Sequence, residues 1–308
     1  MTPSGGTGMA ALAYAPSSAC GRGCLPKPGT VPAAPILLQA LRLLAIVVAL
    51  LFGIAVALSQ PLLSQRLRAR SVRAWFGSLL RASGVRLEVQ GTVRPGPVLF
   101  AANHVSWLDI PAVLAVTPMR VVAKDDVRRW PVIGLLAARG GTLFIDRRRL
   151  RRLPGTVAAI AGALRAGQPV LVFPEGSTRC GRVQGRFYPA TFQAAIDAGA
   201  AVRPVSLRYR LAGGPPTTAA AFVGDDTLFA SVRRVVAARG LVVELEIGAA
   251  VQGPDQRRGL ADATAAAIAG TTHPSPHLHP HPHPTPATPA PTRSPTRTPG
   301  DLGEKVLL

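Results

Sequence analysis

His104 and Asp109 stand five positions apart in Asn103-His104-Val105-Ser106-Trp107-Leu108-Asp109. An imidazole exchanges protons near neutral pH, and a carboxylate beside it can fix its tautomer and balance the imidazolium, so the pair suits general-base chemistry. The remaining histidines all follow residue 272, so a histidine base in any folded part before that point must be His104. Five positions of ideal helix turn side chains apart by about 140°. The two residues meet only if His104 lies on a turn and Asp109 reaches back from the helix that follows. Val98-Leu99-Phe100-Ala101-Ala102 reads as a strand ending at Asn103-His104, and Ser106 reads as a cap for a helix starting at Trp107. The alternative is a helix-cap histidine beside a surface aspartate.

Three further stretches carry residues suited to binding. Gly141-Thr142-Leu143-Phe144-Ile145-Asp146-Arg147 is a strand that runs into Arg148, Arg149, Arg151 and Arg152. Guanidinium forks match phosphate oxygens, and Arg147 is the one expected to do so, the others reading as a solvated basic loop. Val172-Phe173-Pro174-Glu175-Gly176-Ser177-Thr178-Arg179 takes a buried strand into a carboxylate, a glycine, two hydroxyls and a cation. Glycine there permits close ligand approach, and strand C-termini line the ligand crevice in open α/β sheets. Val202-Arg203-Pro204-Val205-Ser206 reads alone as a strand with a proline.

The elements that must hold these residues alternate. Strands are expected at 85–91, 97–102, 119–124, 141–146, 169–174, 202–209, 219–223 and 241–249. Helices are expected at 106–116, 131–139, 155–166, 189–198, 226–238 and 257–269. This is the pattern of an α/β layered mixed sheet flanked by helices. Ahead of it, residues 1–34 are rich in Gly, Pro, Ala and Ser and read as disordered, with Met9 a candidate second start. Leu43 to Leu58 is wholly apolar, and with the preceding turns reaches membrane-spanning length. A basic amphipathic stretch, 64–82, follows, so 35–83 reads as a membrane-binding helical segment and 84–270 as the main domain; a buried core helix for the apolar run and a plain surface helix of the domain for 64–82 are the alternatives. Residues 271–308 form a Pro- and His-rich tail in which no core can form, with weak metal binding by its histidines an alternative.

Charge supports a membrane partner. No Asp or Glu precedes Glu88, whereas Arg66, Arg68, Arg70 and Arg73 directly follow the apolar run. Anionic lipids are the expected partner, and the positive-inside rule puts the domain on the cytoplasmic side. A net charge of +20 would also suit nucleic acid, but aromatics are only 5% and no basic–aromatic platform occurs, so that class is set aside. Cys20, Cys24 and Cys180 follow no framework spacing, so neither a disulfide scaffold nor a metal site is expected; pairing or metal binding by Cys20 and Cys24 is the alternative.

Taken in order, Asn-His-Val-Ser-Trp-Leu-Asp, Gly-Thr-Leu-Phe-Ile-Asp-Arg, Phe-Pro-Glu-Gly-Ser-Thr and Val-Arg-Pro-Val resemble the four motif blocks of the glycerophospholipid acyltransferases. The bacterial 1-acyl-sn-glycerol-3-phosphate acyltransferases are the nearest match, and the resemblance covers about residues 75–250. It implies His104 as general base and Asp109 as its orienting partner. The acceptor hydroxyl attacks an acyl thioester on coenzyme A or acyl carrier protein, with no metal and no cofactor. Phe144 and Arg147 would contact a glycerol phosphate acceptor, Glu175 and Gly176, followed by Ser177, would shape its site, and Pro204 would serve the acyl-donor side. Backbone N–H groups at the start of the helix after His104 are the expected oxyanion donors. One departure stands out: many members carry Arg three positions after the motif Glu, and Thr178 occupies that position. A similar group acylates lyso-ornithine lipid, whose acceptor has no glycerol phosphate, and it is the alternative reading.

Overall fold

The computed structural model describes residues 18–93, 96–146, 149–251 and 256–272. Its centre is a seven-stranded sheet built from β1 (Val85–Gln90), β2 (Val98–Ala102), β3 (Arg120–Lys124), β4 (Leu143–Ile145), β5 (Val170–Val172), β6 (Ala201–Leu211) and β7 (Leu241–Ile247). The strand order is β1-β7-β6-β2-β5-β3-β4. All neighbours are parallel except β6 and β7, so β1 and β7 run against the other five.

β2 lies at the middle of the sheet and every residue in it is buried. Strand side chains alternate between faces. Val98, Phe100 and Ala102 join one apolar cluster with Leu80, Leu108 and Val113, while Leu99 and Ala101 join another with Ile160, Phe192 and Ile268. The first cluster is roofed by α2 (Gln65–Ala82), α3 (Asp109–Val116) and α7 (Leu228–Ala237). The second is roofed by α5 (Leu153–Arg165), α6 (Ala190–Ala198) and α8 (Arg257–Thr272). Covering on both faces explains why the central strands read as unbroken apolar runs. The short α4 (Ile133–Arg139) leads into edge strand β4.

The long α1 (Ile36–Ser59) packs beside α2 and α7. Ile46, Ala49, Gly53 and Val56 form its buried stripe, and the indole of Trp75 donates to the Ala49 carbonyl at 2.8 Å. Gly53 is required because any side chain there would run into the Trp75 ring. Arg42 donates to the carbonyls of Val236 and Ala238 at 2.7 and 2.9 Å, fastening α1 to the end of α7. The other faces of α1 are apolar and exposed, and Ile36–Leu62 is long and apolar enough to cross a membrane.

Two expectations are corrected. Residues 219–223 form no strand. Ala221 N–H turns back to the Thr218 carbonyl, Phe222 N–H donates to Val105, and Arg234 takes the carbonyls of Ala219 and Ala221. The run is apolar because it is buried, and alanine has little strand preference. Residues 18–34, expected to be disordered, lie on the domain instead. Cys20, Cys24, Leu25 and Val31 pack on the first cluster, and Ala34 N–H donates to Ala237 at 2.8 Å. Residues 1–17 and the tail from 273 lie outside the described residues.

Candidate active site

β2 delivers the site. Asn103, the residue after it, exchanges two amide bonds with the Leu207 backbone of β6 at 2.8 and 2.9 Å, which locks the strand end. His104 follows on the turn, and Asp109 opens α3. The carboxylate reaches back: Asp109 Oδ2 lies 2.8 Å from His104 Nδ1 and accepts from the N–H groups of Val105 and Ser106 at 2.6 and 2.9 Å. Its Oδ1 accepts from the Tyr209 hydroxyl at 2.6 Å. Three other donors on one fully buried carboxylate leave it an acceptor towards Nδ1. The imidazole is then protonated on Nδ1 when neutral, and Nε2 keeps its lone pair. Burial, reinforced by the Asp109 charge, pushes the Tyr209 hydroxyl well above the usual tyrosine range, so it remains a donor.

The helix starts two residues later than the sequence suggested, since Trp107 and Leu108 form a turn and Ser106 Oγ accepts from Leu108 N–H at 3.3 Å. This engages most of the amides expected to serve as oxyanion donors. The amides of Val105 and Ser106 are held by Asp109, that of Leu108 by Ser106, and that of Asp109 by the Ser106 carbonyl.

The second wall comes from the loop after β5. Phe173 stacks on the His104 ring with centroids 4.0 Å apart. Glu175 accepts from His104 N–H at 2.9 Å through one oxygen and from Gly185 N–H at 2.6 Å through the other. Burial raises its pKa above the ordinary 4.5, opposed by those two bonds and by Arg179 and His104. Gly176 has φ +72°, a backbone conformation that side chains disfavour. Thr178 donates its hydroxyl to the Phe222 carbonyl, and Arg179 N–H donates to the His104 carbonyl at 2.7 Å.

Above these residues opens a cleft of about 1620 Å³ whose lining includes His104, Trp107, Gly176 and Ser177. Its apolar side is made by α1, α2 and α3, and the cations Arg68, Arg73, Arg120, Lys124 and Arg139 lie along it. Of the residues the sequence singled out, His104, Asp109, Glu175, Gly176 and Ser177 gather here. Phe144 lies on edge strand β4 under the Arg128 guanidinium, with β5 and β3 between it and β2. Pro204 is buried within β6, where its carbonyl accepts from Gly248. Neither lines the cleft. Arg147 lies outside the described residues. Arg179 packs against Gly185 beside a small separate pocket behind Glu175. Asn103, Phe173, Gly185 and Tyr209 were not assigned roles from sequence; only Asn103 and Phe173 had a signal, as neighbours within quoted motifs.

A buried carboxylate holding one nitrogen of a histidine that lines an apolar cleft is an arrangement suited to proton transfer beside a lipid-like substrate. Comparison with known proteins gives the class. The family model described as Acyltransferase matches residues 85–208. Lyso-ornithine lipid O-acyltransferase of Pseudomonas aeruginosa is 38% identical over 213 residues, covering 65% of this chain and 79% of that protein. The 1-acyl-sn-glycerol-3-phosphate acyltransferase of Neisseria gonorrhoeae is 39% identical over 181 residues, covering 58% of this chain and 71% of that protein. The crystal structure of the 1-acyl-sn-glycerophosphate acyltransferase of Thermotoga maritima shares the fold, with a TM-score of 0.59 and 19% identity over 77% of this chain and 94% of that one. The chain is an acyltransferase, and it belongs to the family that holds the lyso-ornithine lipid and 1-acyl-sn-glycerol-3-phosphate acyltransferases.

Proposed function

We propose that the protein moves a fatty acyl group from coenzyme A or acyl carrier protein to the free hydroxyl of 1-acyl-glycerol-3-phosphate, giving phosphatidic acid. The observation that carries the reading is the His104 ring, with Nδ1 on Asp109 and no partner for Nε2 among the described residues, on a wall of the cleft. Nε2 takes the acceptor proton as the hydroxyl oxygen attacks the thioester carbonyl. The C–S bond then breaks, and the leaving thiolate receives that proton. Asp109 stabilises the imidazolium in between. The cleft cations favour an anionic head group, and its apolar side suits acyl chains.

The domain acts from the cytoplasmic side of the membrane, with α1 as anchor and the arginines of α2 on anionic lipid. Arg66, Arg70 and Arg73 are exposed at spacings that share one helix face.

A second reading rests on the third motif. Thr178 bonds inward to Phe222 and Arg179 lies off the cleft, so the position that is arginine in many relatives offers no cation to a phosphate. That favours lyso-ornithine lipid as acceptor. The two are separated by acyl transfer from labelled acyl-CoA and acyl carrier protein in membranes containing the protein, with both lysolipids offered in parallel and His104→Ala as control. Turnover of lysophosphatidic acid that vanishes in the variant supports the first reading. Turnover of lyso-ornithine lipid alone replaces the acceptor and keeps the chemistry. Equal rates in variant and wild type would remove His104 from the mechanism.

A further inference from the structure

Three thiols meet beside the active-site loop. Cys20 and Cys24 bracket the short 3-10 turn at Arg22–Cys24, and Cys180 follows Arg179, with 160 positions between Cys20 and Cys180. All three are free, Cys180 is buried and the others are half-buried. Their Sγ atoms lie within 4.8 Å of one another, and Cys180 N–H points at Cys20 Sγ at 3.4 Å.

We propose that Cys20, Cys24 and Cys180 form a tris-thiolate site for one Zn²⁺ ion. A Zn–S length of about 2.3 Å in tetrahedral geometry sets sulfurs about 3.8 Å apart, so the thiols close on the ion by about an ångström at most. The group contains sulfur alone, with no carboxylate or imidazole, which selects a soft cation over Mg²⁺ or Ca²⁺. Binding releases three thiol protons to solvent and leaves a fourth coordination position for water, reached past the half-exposed Cys20 and Cys24.

The ion would tie two distant segments together at a sensitive point. On one side is the segment after residue 18, whose Gly21 sits against Gly224. On the other is the loop from Glu175 to Gly185. Cys180 directly follows Arg179, whose N–H holds the His104 carbonyl, and Glu175 at the start of that loop holds the His104 N–H. The site therefore braces the loop that grips the His104 backbone on both sides, and it touches no reacting group.

The test uses the full chain in detergent, reduced and freed of metal with a chelator, then titrated with Co²⁺. A thiolate-to-cobalt charge-transfer band that saturates at one equivalent and is bleached by Zn²⁺ is the expected result. Any cobalt held by His277, His279, His281 and His283 gives no sulfur band. In Cys180→Ser the band is weakened and no longer saturates at one equivalent. Should that variant misfold by circular dichroism, Cys24→Ser, at a half-buried position, carries the same test. In wild type alone, Zn²⁺ shields all three thiols from iodoacetamide. No band at one equivalent, unshielded thiols, or a disulfide among these cysteines in the freshly isolated protein would each overturn the proposal.

Discussion

The turn that carries His104 and the hairpin of α1 and α2 are built on opposite principles. In the turn, directional bonds do the positioning: Asp109 accepts four, Glu175 two, and Asn103 exchanges two with β6. In the hairpin, the buried stripe of α1 is apolar and the outward faces of that helix are apolar too, with Leu44 and Leu51 each 61% exposed, while α2 turns exposed arginines outward. Hydrogen bonds specify a geometry, whereas exposed hydrocarbon specifies only a medium. The two regions should therefore fail differently when altered: the turn through chemistry and fine structure, the hairpin through location.

The largest effect expected is from His104→Ala, which should lower turnover by about 10²–10⁴-fold, the usual worth of a general base. Sedimentation with vesicles should not change, and a parallel loss of vesicle binding would blur the contrast. Next comes Leu44→Lys with Leu51→Lys. Each lysine costs about 2.5–3.5 kcal/mol in the centre of a membrane helix. Vesicle binding should collapse, while turnover of a short-chain, water-soluble acceptor should persist; loss of both would make the hairpin part of the catalytic structure.

Tyr209→Phe is subtler. It removes the donor on Asp109 Oδ1, and should lower stability by about 1.5–3 kcal/mol in urea unfolding, with a smaller fall in turnover than His104→Ala. The smallest effect is a pH slope. Because burial raises Glu175 above 4.5, the folded state holds that proton more tightly than the unfolded chain. Its stabilising contribution is complete below about pH 4.5 and is lost as pH rises through the folded value. Glu175→Gln should flatten the melting temperature across that window. An unchanged slope would assign the pH dependence to other groups.

Much of the sheet was legible because buried parallel strands leave unbroken apolar runs, as Val170-Leu171-Val172 shows. The same signal misled at 219–223, where burial under α7 without strand pairing produced an equally apolar run. The His104–Asp109 meeting could be posed from spacing, since only a turn permits it. Tyr209 could not, because its link to Asp109 crosses 100 positions and depends on the register of β6 beside β2. Most of the expected oxyanion donors are engaged for a local reason, as the same carboxylate that reaches the imidazole also takes the amides of Val105 and Ser106. The gathering of Cys20, Cys24 and Cys180 was invisible for the reason Tyr209 was: chain distance conceals neighbours that folding creates.

Arg42 has a consequence for how lipid reaches the cleft. Its bonds to Val236 and Ala238, with Trp75 on Ala49, prevent α1 from rolling about its own axis without breaking contacts to the domain. Ile46, Leu50, Gly53 and Val56 of the same helix line the cleft. On the proposed function, a lipid entering along α1 would meet the same strip of surface, leading towards the same opening. The helix works less like a mooring line than like a fixed gangway, whose angle to His104 is set by the protein and not by the bilayer.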